Sequence, residues 1–279
     1  MGFFTDVDQD TLVERHIRRL TGLEMEQGRR LLKVYVRARN RIKIRLAGTI
    51  KGTFTEAQLK GVLVQVDSAI KSLNKEVNGE LLIGVQMSTE QSIEDLIKEV
   101  NKFEKKFAGI TTPLPLDAII TSLDPKNFLI NQYQSSINRF NAELRNEIQR
   151  VLTQAIIERI PFDKVVNRIS NEMATEEFKV LRIARTELHQ IYNFSKISGM
   201  RELRQELLPD LQKTLVHPMD TRTAQDSKLL AKLNPVVNID KPFKFKFKGQ
   251  ERVFMAPPDR PNDRAILVPF RASWDTKRK

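Results

Sequence analysis

Cysteine is absent from all 279 residues, which removes disulfides, thiolate zinc sites and thiol nucleophiles together. Only His16, His189 and His217 remain as imidazole ligands or acid–base groups. They lie far apart, so a metal site would need carboxylates from several elements, and neither metal nor cofactor is expected. Aromatic residues are scarce, at 7% with a single Trp. No apolar run approaches the ~18 to 20 residues of a bilayer span, so no membrane association is expected. The start, Met1-Gly2-Phe3-Phe4-Thr5-Asp6, lacks a basic segment followed by an apolar one, and secretion through a signal peptide is not expected. Enzyme signatures are missing as well: there is no G-x-x-x-x-G-K-[ST] loop, G-x-S-x-G elbow or H-E-x-x-H pair. Carboxylates such as Glu90, Glu94, Asp95, Glu176 and Glu177 read as residues at helix starts, where the helix dipole accounts for them.

What the chain does contain is charge. Charged residues make up 29% of it, and the formal net charge is +12 with a pI near 9.9. That balance favours polyanionic partners such as nucleic acid or an acidic protein surface. The excess is local. No acidic residue lies between Glu26 and Glu56, while Arg29, Arg30, Lys33, Arg37, Arg39, Arg41, Lys43, Arg45 and Lys51 are all cationic. Arg30, Lys33, Arg37 and Arg41 recur at helical spacing beside the apolar stripe Leu31, Tyr35, Ala38 and Ile42. Arg29, Arg30, Lys33, Arg37, Arg41 and Arg45 are therefore candidates for nonspecific contact with a DNA backbone, or equally for a solvated or acid-binding face. With almost no Asn, Gln or aromatic residue interleaved, neither base readout nor single-strand stacking is expected.

The periodicity gives a mainly α chain with a small α+β C-terminal module: long amphipathic helices, then a tail containing a β-hairpin. Residues 1–110 form an N-terminal helical region with the basic segment 29–51, with expected breaks at Thr21-Gly22, Gly48 to Gly52 and Asn78-Gly79. Thr55-Glu56 is expected to open one helix and Thr89 to cap another. Pro113, Pro115 and Pro125 make 111–125 a linker, with at most a helical turn around Asp117 to Ser122. Residues 126–208 form a long-helix region. It holds one helix over Phe128 to Arg159, a shorter one capped by Asp163 after Pro161, and a third from Thr175 to Leu208. In 209–279, the alternation Phe243-Lys244-Phe245-Lys246-Phe247-Lys248, a Gly249-Gln250 turn and Arg252 to Met255 predict a hairpin with a buried Phe face. Ala265 to Phe270 is a further possible strand, and Thr276 to Lys279 a basic tail.

Three polar motifs occupy the last hundred residues: Arg182-Ile183-Ala184-Arg185-Thr186-Glu187, then Asp220-Thr221-Arg222-Thr223, then Pro257-Pro258-Asp259-Arg260-Pro261-Asn262-Asp263-Arg264. In order and spacing, over roughly 175 to 270, they resemble the phage head morphogenesis proteins of the phage Mu protein F-like family. That family shows an R-T-E helix, a D-x-R-T stretch usually followed by His or Cys, and a P-P-x-H-P-N-C-R-like turn. Arg185, Thr186, Glu187, Asp220, Arg222, Pro257, Pro258 and Arg264 match. The His and Cys positions do not: Ala224-Gln225-Asp226-Ser227 follows the second motif, and Arg260 and Asp263 stand in the third. The soft and borderline metal ligands are the ones replaced. Arg185 offers a planar fork suited to Asp220, so the motifs are expected to lock a helix to the C-terminal segment, the other reading being a ligand or phosphate site. Asp220 or Thr221 is expected to cap the helix that follows.

The resemblance implies a non-enzymatic minor head protein of a tailed phage. It implies attachment to the portal or the inner procapsid face, and action in head morphogenesis and DNA packaging or ejection. The expected partners are the portal protein, major capsid or scaffolding protein, and double-stranded DNA bound nonspecifically. The expected place is the virion head interior, and the host cytoplasm during assembly. Two other readings stay open. One is a metal-dependent nucleic-acid-processing enzyme using Asp220, Asp226 and Asp263; the other is an autonomous DNA-binding protein.

Overall fold

The computed structural model describes residues 6–47, 50, 52–116, 127–218, 221, 223–233, 235–260 and 263–274. The helices are α1 (Asp6–Leu46), α2 (Glu56–Phe103), α3 (Asn127–Ile157), α4 (Phe162–Glu206) and α5 (Gln225–Leu233). The strands are β1 (Gln212–Val216), β2 (Val237–Asn238), β3 (Phe243–Phe247), β4 (Gln250–Phe254) and β5 (Ile266–Phe270). The chain is thus mainly helical, with its small sheets near the C-terminus. Among the described residues no helix is long and apolar enough to cross a membrane.

Several expected helix breaks are absent. α1 runs through Thr21-Gly22 and α2 through Asn78-Gly79. A glycine inside a helix costs about 1 kcal/mol, which a continuous buried stripe outweighs. Thr89 caps nothing; it is buried within α2 and receives the Ser195 hydroxyl at 3.2 Å. Its neighbours act alike: Ser88 Oγ donates to the Leu188 carbonyl at 3.0 Å and Ser92 Oγ to that of Tyr192 at 2.6 Å. Small hydroxyl residues that read as a cap instead let α2 and α4 approach closely. Thr175 likewise starts no helix, since α4 is continuous from Phe162 and Thr175 Oγ1 donates back to the Asn171 carbonyl at 3.1 Å. The turn expected at Asp117 to Ser122 and the tail from Thr276 lie outside the described residues.

The chain packs as two compact units, and this grouping differs from the linear sections read from sequence. One, the terminal unit, comprises Met1–Glu24, Val85–Lys126 and Thr186–Lys279; the other, the middle unit, comprises Met25–Gly84 and Asn127–Arg185. Long helices give successive stretches to different neighbours, so α1, α2 and α4 each contribute to both.

In the middle unit four helical segments bury Leu31, Val34, Ala38, Val66, Leu73, Ile137, Leu144, Ile148, Val165 and Ile169. Tyr35 OH donates to Asn141 Oδ1 at 2.6 Å, and burial raises its pKa. Arg145 grips Asp67 with Nε at 2.6 Å. Gly84 lies in close approach: a Cβ there would lie 2.7 Å from the Gln27 side chain, whose Nε2 donates to the Glu80 carbonyl at 2.6 Å. At the helix ends Phe54 N–H donates to the Ile160 carbonyl at 3.3 Å and Phe162 N–H to that of Gly52 at 2.9 Å, bracketing the Thr53–Pro161 bridge.

The terminal unit wraps helices around two small antiparallel sheets. β1 is the middle strand of β2-β1-β5, with Leu215 opposite Leu267; β3 pairs only with β4. The expected hairpin is present, with its turn one residue earlier, at Lys248-Gly249. Both have positive φ, 48° and 82°, as a two-residue primed turn needs. Phe243 and Phe245 are buried and Lys244 and Lys246 exposed. β5 leaves the hairpin to join β1, a strand that the short, non-alternating Gln212–Val216 did not announce. All five β5 residues are buried, a face that only the larger core can cover. α2 ends in a π-helical turn, Glu104–Ala108, closed by Gly109 at φ 71°. That turn places buried Glu104 on Arg271, which also binds Asp210 at 2.7 Å. Trp274 is fully buried with its ring 5.2 Å from that of Phe103.

Candidate functional site

The second and third motifs meet around the first turn of α5. Asp226 Oδ1 accepts the Ser227 backbone N–H at 2.9 Å, which places the carboxylate at the positive end of the helix. Arg260 grips it with both terminal nitrogens: Nη2 lies 2.6 Å from Oδ1 and Nη1 contacts Oδ2. The same Nη2 donates to Ser227 Oγ at 2.9 Å. From β4, Arg252 Nη1 approaches Asp226 Oδ2 to 2.6 Å, while its Nη2 contacts Asp259. Hydrogen bonding to Arg260 is the largest cause that holds the Asp226 pKa at about 2. Arg264 Nη2 donates to Thr223 Oγ1 at 3.4 Å, and Thr223 donates to the Pro218 carbonyl. Asp263 Oδ1 accepts the Ala265 N–H at 3.2 Å and fixes the turn into β5.

Three carboxylates and three guanidiniums therefore sit together with balanced charge. Asp226, from the stretch that follows the second motif, pairs with Arg260 of the third. His217 is buried beside them, and burial lowers its pKa. Such a network fixes geometry, since both Asp226 oxygens are already occupied. Among the described residues no three His, Asp or Glu side chains converge as a metal site.

Asp220 and Arg222 lie outside the described residues, so the expected Arg185–Asp220 pair falls there; the other expected cap, Thr221, stands four residues before α5 and does not cap it. α5 begins only at Gln225, two residues beyond Thr223, and Thr221 is exposed in the turn before it. Pro257-Pro258 is a cis bond. Glu187 is buried on α4. What ties α4 to the motif region is a pair of residues that the sequence reading passed over. His189 Nδ1 lies 3.1 Å from Glu24 Oε1 and its Nε2 2.6 Å from the Ala265 carbonyl. Asn193 Oδ1 accepts the Leu267 N–H of β5 at 2.8 Å. Burial opposes the charged form of His189, but the carboxylate and carbonyl at its two nitrogens carry its pKa above the usual value. An acceptor at each nitrogen favours the protonated ring.

A second polar cluster lies in the helical part of the same unit. Lys196 Nζ is 2.6 Å from Glu99 Oε1, and both side chains are fully buried. His16 Nδ1 approaches the same oxygen to 2.6 Å. Four residues earlier on α2, Asp95 receives Arg19 Nη1 at 2.8 Å and Tyr192 OH at 2.8 Å. Burial and then the Asp95 charge push the Tyr192 pKa well up. Asp95 thus sits deep in α2 rather than at a helix start. The i, i+4 spacing of Asp95 and Glu99 was a signal for this, but a solvated helix face carries the same spacing.

The basic segment of α1 is less free than it reads. Arg30 pairs with Glu26 at 2.7 Å and lies 3.9 Å from Glu80; Arg41 and Arg37 lie 2.6 and 3.8 Å from Glu76. Glu76 and Glu80 come from α2, which no inspection of the α1 sequence would supply. Arg29, Lys33 and Arg45 are exposed.

Compared with known proteins, the chain matches no family model, no curated protein and no solved structure.

Proposed function

We propose that this is a non-enzymatic minor head protein of a tailed phage, attached to the portal or the inner procapsid face and acting in head morphogenesis and DNA packaging or ejection. The observation that carries the reading is that the second and third motif segments, more than thirty residues apart in sequence, meet in the terminal unit, where the end of the first motif, Thr186 and Glu187, also lies. Thr223 and Arg264 touch, Asp226 and Arg260 join the same two segments, and His189 and Asn193 hold the strand after the third motif to the helix that bears Thr186 and Glu187. Arg264 of the third motif and Thr223 of the second, like Asp226 and Arg260, are held in side-chain contacts that tie segments together, as a structural module needs. A fully paired polar network rigidifies the segments it joins.

The test is co-expression of the tagged chain with the portal, capsid and scaffolding proteins of its phage, followed by imaging of what co-purifies. Stoichiometric recovery on portal rings or procapsids is expected. Recovery of the chain free of all three would overturn the proposal.

A further inference from the structure

Charge is unevenly divided between the units. The middle unit has 21 Lys and Arg against 12 Asp and Glu, a net +9 of the chain's +12. Most of its carboxylates near the basic segment are already spent: of the five in Met25–Gly84, Glu26, Asp67, Glu76 and Glu80 are each ion-paired with an arginine, and Glu56 stands at the start of α2. These pairs also fix the geometry. Arg30 reaches Glu80 while Arg37 and Arg41 reach Glu76, so α1 and α2 run antiparallel with a seam of arginine–glutamate pairs between them.

Outside that seam, on the solvent side of the same two helices, the cations are uncompensated. Arg29, Lys33 and Lys43 of α1 and Lys71 and Lys75 of α2 are exposed and have no ion pair among the described residues. At 1.5 Å per residue the α1 set spans about 21 Å, along which a duplex presents a negative charge every ~1.7 Å. The exposed side chains between Arg29 and Lys43, Lys33, Arg37 and Asn40, are polar; the unit's exposed apolar side chains, among them Ile44, Val64 and Leu82, are all aliphatic or Met, and none is aromatic among the described residues. Protein interfaces concentrate aromatic and apolar anchors and are depleted in lysine; phosphate backbones need only mobile cations.

We infer that the outer face of the α1–α2 pair in the middle unit binds the backbone of double-stranded DNA without sequence preference, through Arg29, Lys33, Lys43, Lys71 and Lys75. Arg30, Arg37 and Arg41, which the sequence pattern favours, are masked by Glu76 and Glu80 and contribute little. The inference is independent of the head-protein proposal, because a chain that never meets a portal can still hold DNA.

The experiment is fluorescence anisotropy of the full chain with a labelled mixed-sequence duplex of about 30 base pairs, titrated between roughly 50 and 200 mM salt. Each backbone contact contributes about 0.9 to the log–log salt slope. Arg29→Gln/Lys33→Gln/Lys75→Gln is therefore expected to make the slope shallower by about 2 to 3, with the circular dichroism spectrum and melting temperature unchanged. Glu76→Gln should act in the opposite direction. It unmasks Arg37 and Arg41, and the slope should steepen by about 1 to 2. Absence of salt-dependent binding by the wild-type chain, or an unaltered slope in the triple variant, overturns the inference. So does Glu76→Gln binding no better than wild type. Displacement of the duplex by polyglutamate at equal charge also overturns it, in favour of an acidic protein partner.

Discussion

Lys196→Met is the sharpest probe of how the terminal unit is held together. The substitution keeps the aliphatic stem and deletes an ammonium that lies 2.6 Å from Glu99, with neither side chain exposed. What remains is a buried carboxylate whose surviving close partner is the His16 ring, 2.6 Å away. Removing one partner of a buried pair costs about 3 to 5 kcal/mol. The imidazole can take up part of the load, so a loss of about 3 kcal/mol is expected, at the lower end of that range. The companion variant Lys196→Met/Glu99→Met removes both charges, and apolar replacement of a whole buried pair is often neutral or stabilising. It should therefore lie within about 1 to 2 kcal/mol of wild type and be more stable than the single variant. Urea unfolding monitored by Trp274 fluorescence is the assay, because the only tryptophan is buried in this unit. A single variant within about 1 kcal/mol of wild type, or a double variant no more stable than the single, would refute the reasoning.

Two further outcomes concern the motif region. Asp226 has a folded pKa of about 2 against 3.8 unperturbed, so its contribution is present above about pH 4 and lost as pH falls through the folded value. Asp226→Ala should cost about 1.5 to 3 kcal/mol near neutrality and flatten the acid limb of a stability–pH curve. His189 has the opposite sign: its folded pKa is raised, so its contribution is full below its unfolded pKa and fades as pH rises through the folded value. After correction for intrinsic exchange, hydrogen exchange at the Leu267 amide should accelerate on the alkaline side, and His189→Gln should remove that pH dependence.

Much of the architecture was legible because it depends on period. The stripe Ile137, Phe140, Leu144, Ile148 and Leu152 predicts α3 to within two residues at each end, and Phe-Lys alternation predicts β3 with its buried face. Terminators were less legible. The stop expected by Pro161 holds, with α3 ending at Ile157 and Arg159 turning the chain at φ 51°; Gly22, Gly79 and Thr175 carry only weak preferences that packing overrode. The strand β1 was missed because a five-residue strand buried along nearly its whole length shows no alternation.

The sequence by itself determined the inventory: long helices, an alternating hairpin, no thiol chemistry, an excess of cations, and three polar motifs free of His and Cys. Those properties reside in single residues and local spacings. Only the tertiary structure decided which charges are spent on one another. Arg260 with Asp226, Lys196 with Glu99, and Arg41 with Glu76 are 34, 97 and 35 residues apart, and a guanidinium reads the same in sequence whether it faces solvent or a carboxylate. Its partner is set by the packing of helices that meet far from it along the chain. The basic segment that the sequence offered as one continuous face is divided by the fold into an internally neutralised seam and an exposed stripe.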